Sequence, residues 1–120
     1  MVVADDEPDL SFLVRVVLEN AGYEVATARD GFKALEAVAA ARTQLVITDL
    51  MMPGMNGSVL IARLRLDSAT ALIPIVMLSS NPDTATDADA FVTKPFDPDE
   101  LLRIVDRLTR DDEVDKGTPP

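Results

Sequence analysis

LVITDLMMPG, residues Leu45 to Gly54, runs four residues suited to a buried strand straight into one aspartate, Asp49, and then turns on Met52, Pro53 and Gly54. A carboxylate at the tip of a buried strand has lost hydration, so it requires a partner or a chemical role. What gathers around it decides which. Outward from this stretch, short apolar runs alternate with helical patterns, the order expected of βα units around a parallel sheet. The expected strands are Val2–Ala4, Glu24–Ala28, Gln44–Thr48, Ile75–Leu78 and Phe91–Thr93.

Between the first two strands, Leu10, Leu13, Val14, Val17, Leu18 and Ala21 recur at helical spacing, and Gly22 can end that helix. Asp9 is its expected cap. A second helix is expected from Gly31 to Arg42 and a third from Ser58 to Leu66, with Leu60, Ile61 and Leu64 inward. The last opens on DPDE: Asp97 as N-cap, Pro98 at the first helical position and Glu100 closing a capping box. Leu101, Leu102, Ile104, Val105 and Leu108 form its apolar stripe. The domain is expected to span residues 1–110, and the charged, Pro-ended tail over 111–120 to be disordered.

At 120 residues the chain is long enough for one domain with a real core. Apolar residues make up 48% but aromatics only 4%, so aliphatic side chains and Met must fill that core. Cysteine and histidine are both absent, which removes disulfides, thiolate or imidazole metal sites and His-based triads. Phosphate, if it arrives, must come from another protein. A net charge of −10 has the wrong sign for direct nucleic-acid binding. No apolar run approaches the roughly 20 residues of a bilayer span, and no signal peptide is visible, so the expected location is cytoplasmic, with no membrane insertion.

Parallel strands all end at one edge, and open α/β sheets bind ligands beyond those carboxyl ends. Residues following the strands should therefore meet: Asp5, Asp6 and Glu7 after the first, Asp49 after the third, Ser79 and Ser80 after the fourth, Lys94 after the fifth. The first and third strands are expected to be neighbours, bringing Asp5, Asp6 and Asp49 together. Three carboxylates in one crevice repel unless a cation joins them, and hard oxygen ligands favour Mg²⁺ over zinc. An ammonium and a hydroxyl opposite the metal suit the oxygens of a phosphoryl group, which a carboxylate can accept as nucleophile. Asp49 stands centrally and is the candidate acceptor.

VVADDEPD at residues 2–9, ITDLMMPGMNG at 47–57, IPIVMLSS at 73–80 and FVTKPF at 91–96 resemble, in this order and spacing, the receiver domains of two-component response regulators. The resemblance implies a doubly wound five-stranded parallel α/β sheet of order 2-1-3-4-5. It implies that Asp49 takes a phosphoryl group from the phosphohistidine of a histidine kinase or phosphotransfer protein. Asp6, Asp49 and the main-chain carbonyl of Met51 would hold Mg²⁺ directly, with Asp5 acting largely through water. Lys94 would pair with one phosphoryl oxygen and Ser79 would hydrogen-bond another, opening space for Phe91 to turn inward as the switch. A cis peptide between Lys94 and Pro95 is implied too. Such a protein catalyses its own phosphorylation and slow hydrolysis but turns over no independent substrate, so it is not an enzyme in the usual sense.

The chain departs from the family pattern between Ser79 and Phe91. SNPDTATDADA carries Pro82 and no large aliphatic residue, too little for an amphipathic helix. The fourth helix, between strands four and five, is thus expected to be missing or reduced to about one turn, with an acidic mobile loop in its place. The output face then differs, so either downstream partners dock elsewhere or the missing surface is completed by a downstream protein or a second copy of the chain, as a homodimer. Two other readings compete. A phosphate-independent pseudo-receiver is opposed by the intact Asp5, Asp6, Asp49, Ser79 and Lys94. A phosphatase of the haloacid dehalogenase type requires a second Asp two residues after the first, where this chain has Met51.

Overall fold

In the computed structural model, residues 1–80 and 87–117 are described, with side chains as far as 109. The elements run β1 (Val2–Ala4), α1 (Pro8–Asn20), β2 (Ala26–Ala28), α2 (Gly31–Ala40), β3 (Val46–Asp49), α3 (Gly57–Leu66), β4 (Ile75–Ser79), β5 (Ala90–Thr93) and α4 (Pro98–Gly117). All five strands are parallel in the order β2-β1-β3-β4-β5, as expected. The reversal of strand order at β1 and β3 makes the crevice of a doubly wound sheet.

Strand side chains alternate between faces, and both faces are covered, so the central strands are buried throughout and mostly apolar, with Thr48, Asp49 and Ser79 as the polar residues toward their ends. On one face Val3, Ile47, Val76, Leu78 and Val92 pack against Val14 and Leu18 of α1 and Leu101 and Val105 of α4. The other face sets Val2, Val46, Ile75 and Met77 against Ala34 and Val38 of α2 and Leu60, Ile61 and Leu64 of α3. Truncating a buried Leu such as Leu60 to Ala costs about 2–5 kcal/mol, so these stripes hold the strand ends in place.

Several local expectations change. α1 begins at Pro8 with Glu7 at the N-cap, leaving Asp9 inside the first turn rather than capping it. Proline's fixed φ and missing donor suit the first helical position, which moves the start upstream. The buried line of α1 is Ser11, Val14 and Leu18, while Leu13 is largely exposed. Asp97 caps α4 by accepting the Asp99 N–H at 3.0 Å, but among the described residues Glu100 returns no bond, so this is a single cap and not a capping box. α4 spans Pro98–Gly117. The expected absence of a helix between β4 and β5 falls mostly on residues 81–86, outside the described residues; those described on either side hold none.

Candidate functional site

The strand ends converge as the topology requires. Asp5 follows β1, Asp49 closes β3, Ser79 closes β4, and Lys94 follows β5 with its N–H donated to the Ser79 carbonyl at 3.0 Å. Asp5, Asp49 and Ser79 are buried, at 3%, 4% and 4% exposure, whereas Asp6 is exposed. Carboxylate oxygens of Asp5, Asp6 and Asp49 lie within 4.8 Å of one another. The Lys94 ammonium donates to Asp49 Oδ1 at 2.8 Å and approaches Glu7 Oε1 at 3.9 Å. The Lys94–Pro95 peptide is cis. A crevice of about 530 Å³ opens here, lined by Asp6, Glu7, Asp49, Met51, Ser79 and Lys94.

Among the described residues Asp49 caps no helix: Asn56 caps α3, accepting the Val59 N–H at 2.9 Å, and the Asp49 carboxylate accepts from Lys94. Asp5 serves two ends. Its Oδ1 accepts the Glu7 N–H at 2.8 Å and guides the chain into α1, while its buried Oδ2 has no partner among the described residues. Burial pushes the Asp5 carboxyl up to about 6, the Asp49 charge pushing the same way and the Glu7 N–H and Lys94 opposing. An orphaned buried oxygen beside two further carboxylates is what a hard divalent cation would satisfy, so the donor set fits Mg²⁺.

The loop after β3 is shaped by two glycines. Gly54, at φ +80°, is the centre of a tight turn in which the Met55 N–H meets the Pro53 carbonyl at 2.9 Å, a conformation that side chains resist. Gly57 donates its N–H to the Leu50 carbonyl at 2.8 Å, and a Cβ there would collide with the Asp49 carbonyl oxygen. Backbone, unlike the end of a flexible side chain, cannot step aside cheaply. Gly57→Ala is expected to destabilise the protein by about 2–3 kcal/mol, read as a lower urea midpoint at unchanged m-value.

Met52 and Met55 fill the loop from within, at 8% and 2% exposure, while Met51 stands out at 72% beside the crevice. Phe91 is half-buried against the α2 and α3 face. Three participants were given no role by the sequence. Glu7, visible as the third acid after β1, supplies both an N–H to Asp5 and a second charge near Lys94. Thr48 donates its hydroxyl to the Asp49 carbonyl at 2.9 Å, and Gly57 backs the same carbonyl; neither leaves a sequence signal stronger than its position near Asp49.

This constellation has a match among known proteins: the model for the response regulator receiver domain covers residues 1–106. The chain belongs to this family. The receiver domain is 41% identical over 121 residues to the DNA-binding response regulator MtrA of Mycolicibacterium smegmatis, covering 94% of this chain and 52% of that protein. It is also 36% identical to part of the sensor histidine kinase TmoS of Ectopseudomonas mendocina, covering 90% of this chain and 12% of that one. In structure it resembles the chemotaxis response regulator CheY4 of Vibrio cholerae, with a TM-score of 0.83, 33% identity, and 89% and 95% of the two chains covered. The chain spans about half the length of the MtrA relatives it matches. Among the described residues, no helix is long and apolar enough to cross a membrane.

Proposed function

We propose that this receiver domain is a phosphoacceptor in which Asp49 takes a phosphoryl group from a histidine kinase or phosphotransfer protein and thereby changes the surface it offers to other proteins. The observation that carries this reading is the Lys94 ammonium held 2.8 Å from Asp49, inside the cluster with Asp5 and Asp6. A charged amine and a group of acids at one crevice serve a transferable anion better than they serve stability.

An Asp49 carboxylate oxygen forms a bond to phosphorus as the P–N bond to the donor's imidazole breaks, and the electron pair leaves with that ring. Lys94 then exchanges its bond with Asp49 for one to a phosphoryl oxygen, and the Ser79 hydroxyl, at the end of β4, takes another. Asp6, Asp49 and the Met51 carbonyl would hold Mg²⁺, with Asp5 acting through water. The bound ion supplies neutralising charge for the phosphoryl oxygens. Movement of Ser79 toward phosphate frees room for the Phe91 ring to turn inward, which converts the modification into a change of surface.

With a net charge of −10, the output of this segment is protein contact, by a downstream partner or a second copy, in the cytoplasm, and not direct contact with nucleic acid. Hydrolysis at Asp49 resets the switch, and no independent substrate is turned over. Incubation with a small acyl phosphate and Mg²⁺, followed by intact mass, tests the reading. One phosphoryl addition is expected, and none in Asp49→Ala. Wild-type protein that gains no mass from either the small donor or a phosphorylated kinase domain would instead be a phosphate-independent interaction module.

A further inference from the structure

β5 is a four-residue edge strand, and its far end carries the amine on which the acceptor site depends. Its near end is fixed by one guanidinium. Arg65, in the last turn of α3, donates through Nη1 to the carbonyls of Ala71 at 2.8 Å and Ile73 at 2.9 Å. Through Nη2 it donates to the Asp87 carbonyl and to Asp89 Oδ2, both at 2.8 Å. Asp89 then grips β4 twice: Oδ2 accepts the Ile75 N–H at 2.7 Å, and its own N–H reaches the Ile75 carbonyl at 2.8 Å. The next residue, Ala90, starts β5 in register with Val76.

A surface ion pair alone is worth little. Arg65 differs because three of its four acceptors are main-chain carbonyls on two separate segments, and its side chain is only 21% exposed. The planar fork of arginine can serve such diverging acceptors at once, which a lysine cannot. Slipping β5 by one residue would carry Lys94 about 3.3 Å along the sheet and reverse the facing of Phe91 and Val92. The 2.8 Å contact with Asp49 would not survive that slip.

We infer that Arg65, acting through Asp89, is a positioning residue for Lys94: it sets the register of β5 from the opposite end of the sheet, and so holds the ammonium at the acceptor. This rests on Asp49 being the acceptor, and two measurements separate the claims. In the first, phosphoryl uptake from a small acyl phosphate with Mg²⁺ is followed in Arg65→Met, Lys94→Met and the double variant. Arg65→Met is expected to slow uptake by roughly tenfold or more, and to add little once Lys94 is already methionine. A merely structural Arg65 would slow both backgrounds alike, and that additivity would overturn the inference.

The second measurement uses no phosphate. In metal-free protein, amide exchange at Val92 and Lys94 should accelerate in Arg65→Met by about tenfold, while Val3 and Ile47 in the central strands keep their protection. Uniform acceleration across the sheet, or none, would overturn the inference independently of any phosphoryl chemistry. Should Arg65→Met fail to fold, Arg65→Lys retains the charge beside Asp89 without the fork and should shift both readouts in the same direction. If wild-type protein takes up no phosphoryl group while the exchange pattern appears, the acceptor reading fails and the strand clamp stands.

Discussion

Replacing Lys94 with methionine is expected to slow phosphoryl uptake at Asp49 by roughly a hundredfold or more, and to destabilise the metal-free protein by about 3 kcal/mol. The two effects have different origins. Lys94 and Asp49 are a mostly buried pair, their side chains 18% and 6% exposed. Removing the ammonium leaves the Asp49 charge uncompensated a few ångströms from Asp5 and Asp6. Methionine keeps the apolar stem, so lost packing contributes little. Added Mg²⁺ should restore much of the stability, because a divalent cation can replace a monovalent charge among carboxylates. It should not restore the rate, since a donor aimed at a phosphoryl oxygen is still missing. Urea unfolding with and without Mg²⁺, beside a time course of intact mass, separates these. A variant that phosphorylates at the wild-type rate would remove Lys94 from the chemistry.

The convergence of these side chains is legible in the sequence because a parallel sheet turns sequence order into spatial order. Once Val2–Ala4, the strand into Asp49, Ile75–Ser79 and the strand before Lys94 are recognised, their last residues must share an edge, whatever the loops do. That inference needs only apolar periodicity, the strongest signal in a single sequence. Finer features obey competing local terms. Asp9 has the right chemistry for a cap, but Pro8 is better placed as the first helical residue, and a two-residue shift in helix start decides between them. Leu13 fits the apolar stripe on paper, yet the helix faces the sheet along Ser11, Val14 and Leu18.

The Arg65 to Asp89 contact was not legible at all. Those residues are 24 apart in sequence, belong to no shared motif, and meet only because the chain returns to the sheet soon after β4. Glu7 is an intermediate case. Its position after Asp5 and Asp6 was plain, but its use of an N–H, not its carboxylate, toward Asp5 depends on backbone geometry.

Asp5→Asn should make the metal-free protein more stable at neutral pH and, at the same time, deprive it of most of the stabilisation that Mg²⁺ confers. The sign follows from the direction of the shift. Asp5 holds its proton up to about 6 in the fold, against an ordinary 3.8, so between those values the unfolded chain has released a proton that the native protein keeps. Stability from this group is therefore full below about pH 4 and falls as pH rises to about 6. Above that, the ionised, buried carboxylate costs on the order of 2–3 kcal/mol. Asparagine carries no such charge. Its oxygen can still accept the Glu7 N–H, and a neutral amide takes the place of the unpartnered Asp5 Oδ2. Urea midpoints from pH 4 to 7.5 should thus decline for the wild type and stay nearer level for the variant. Saturating Mg²⁺ reverses the order, because a ligand stabilises in proportion to its affinity for the folded state, and the variant has lost one of three carboxylates. If the two stability orders fail to cross on adding Mg²⁺, the acids after β1 and β3 are not a cation site. A crossing would mean that the fold retains a destabilising charge because the metal uses it.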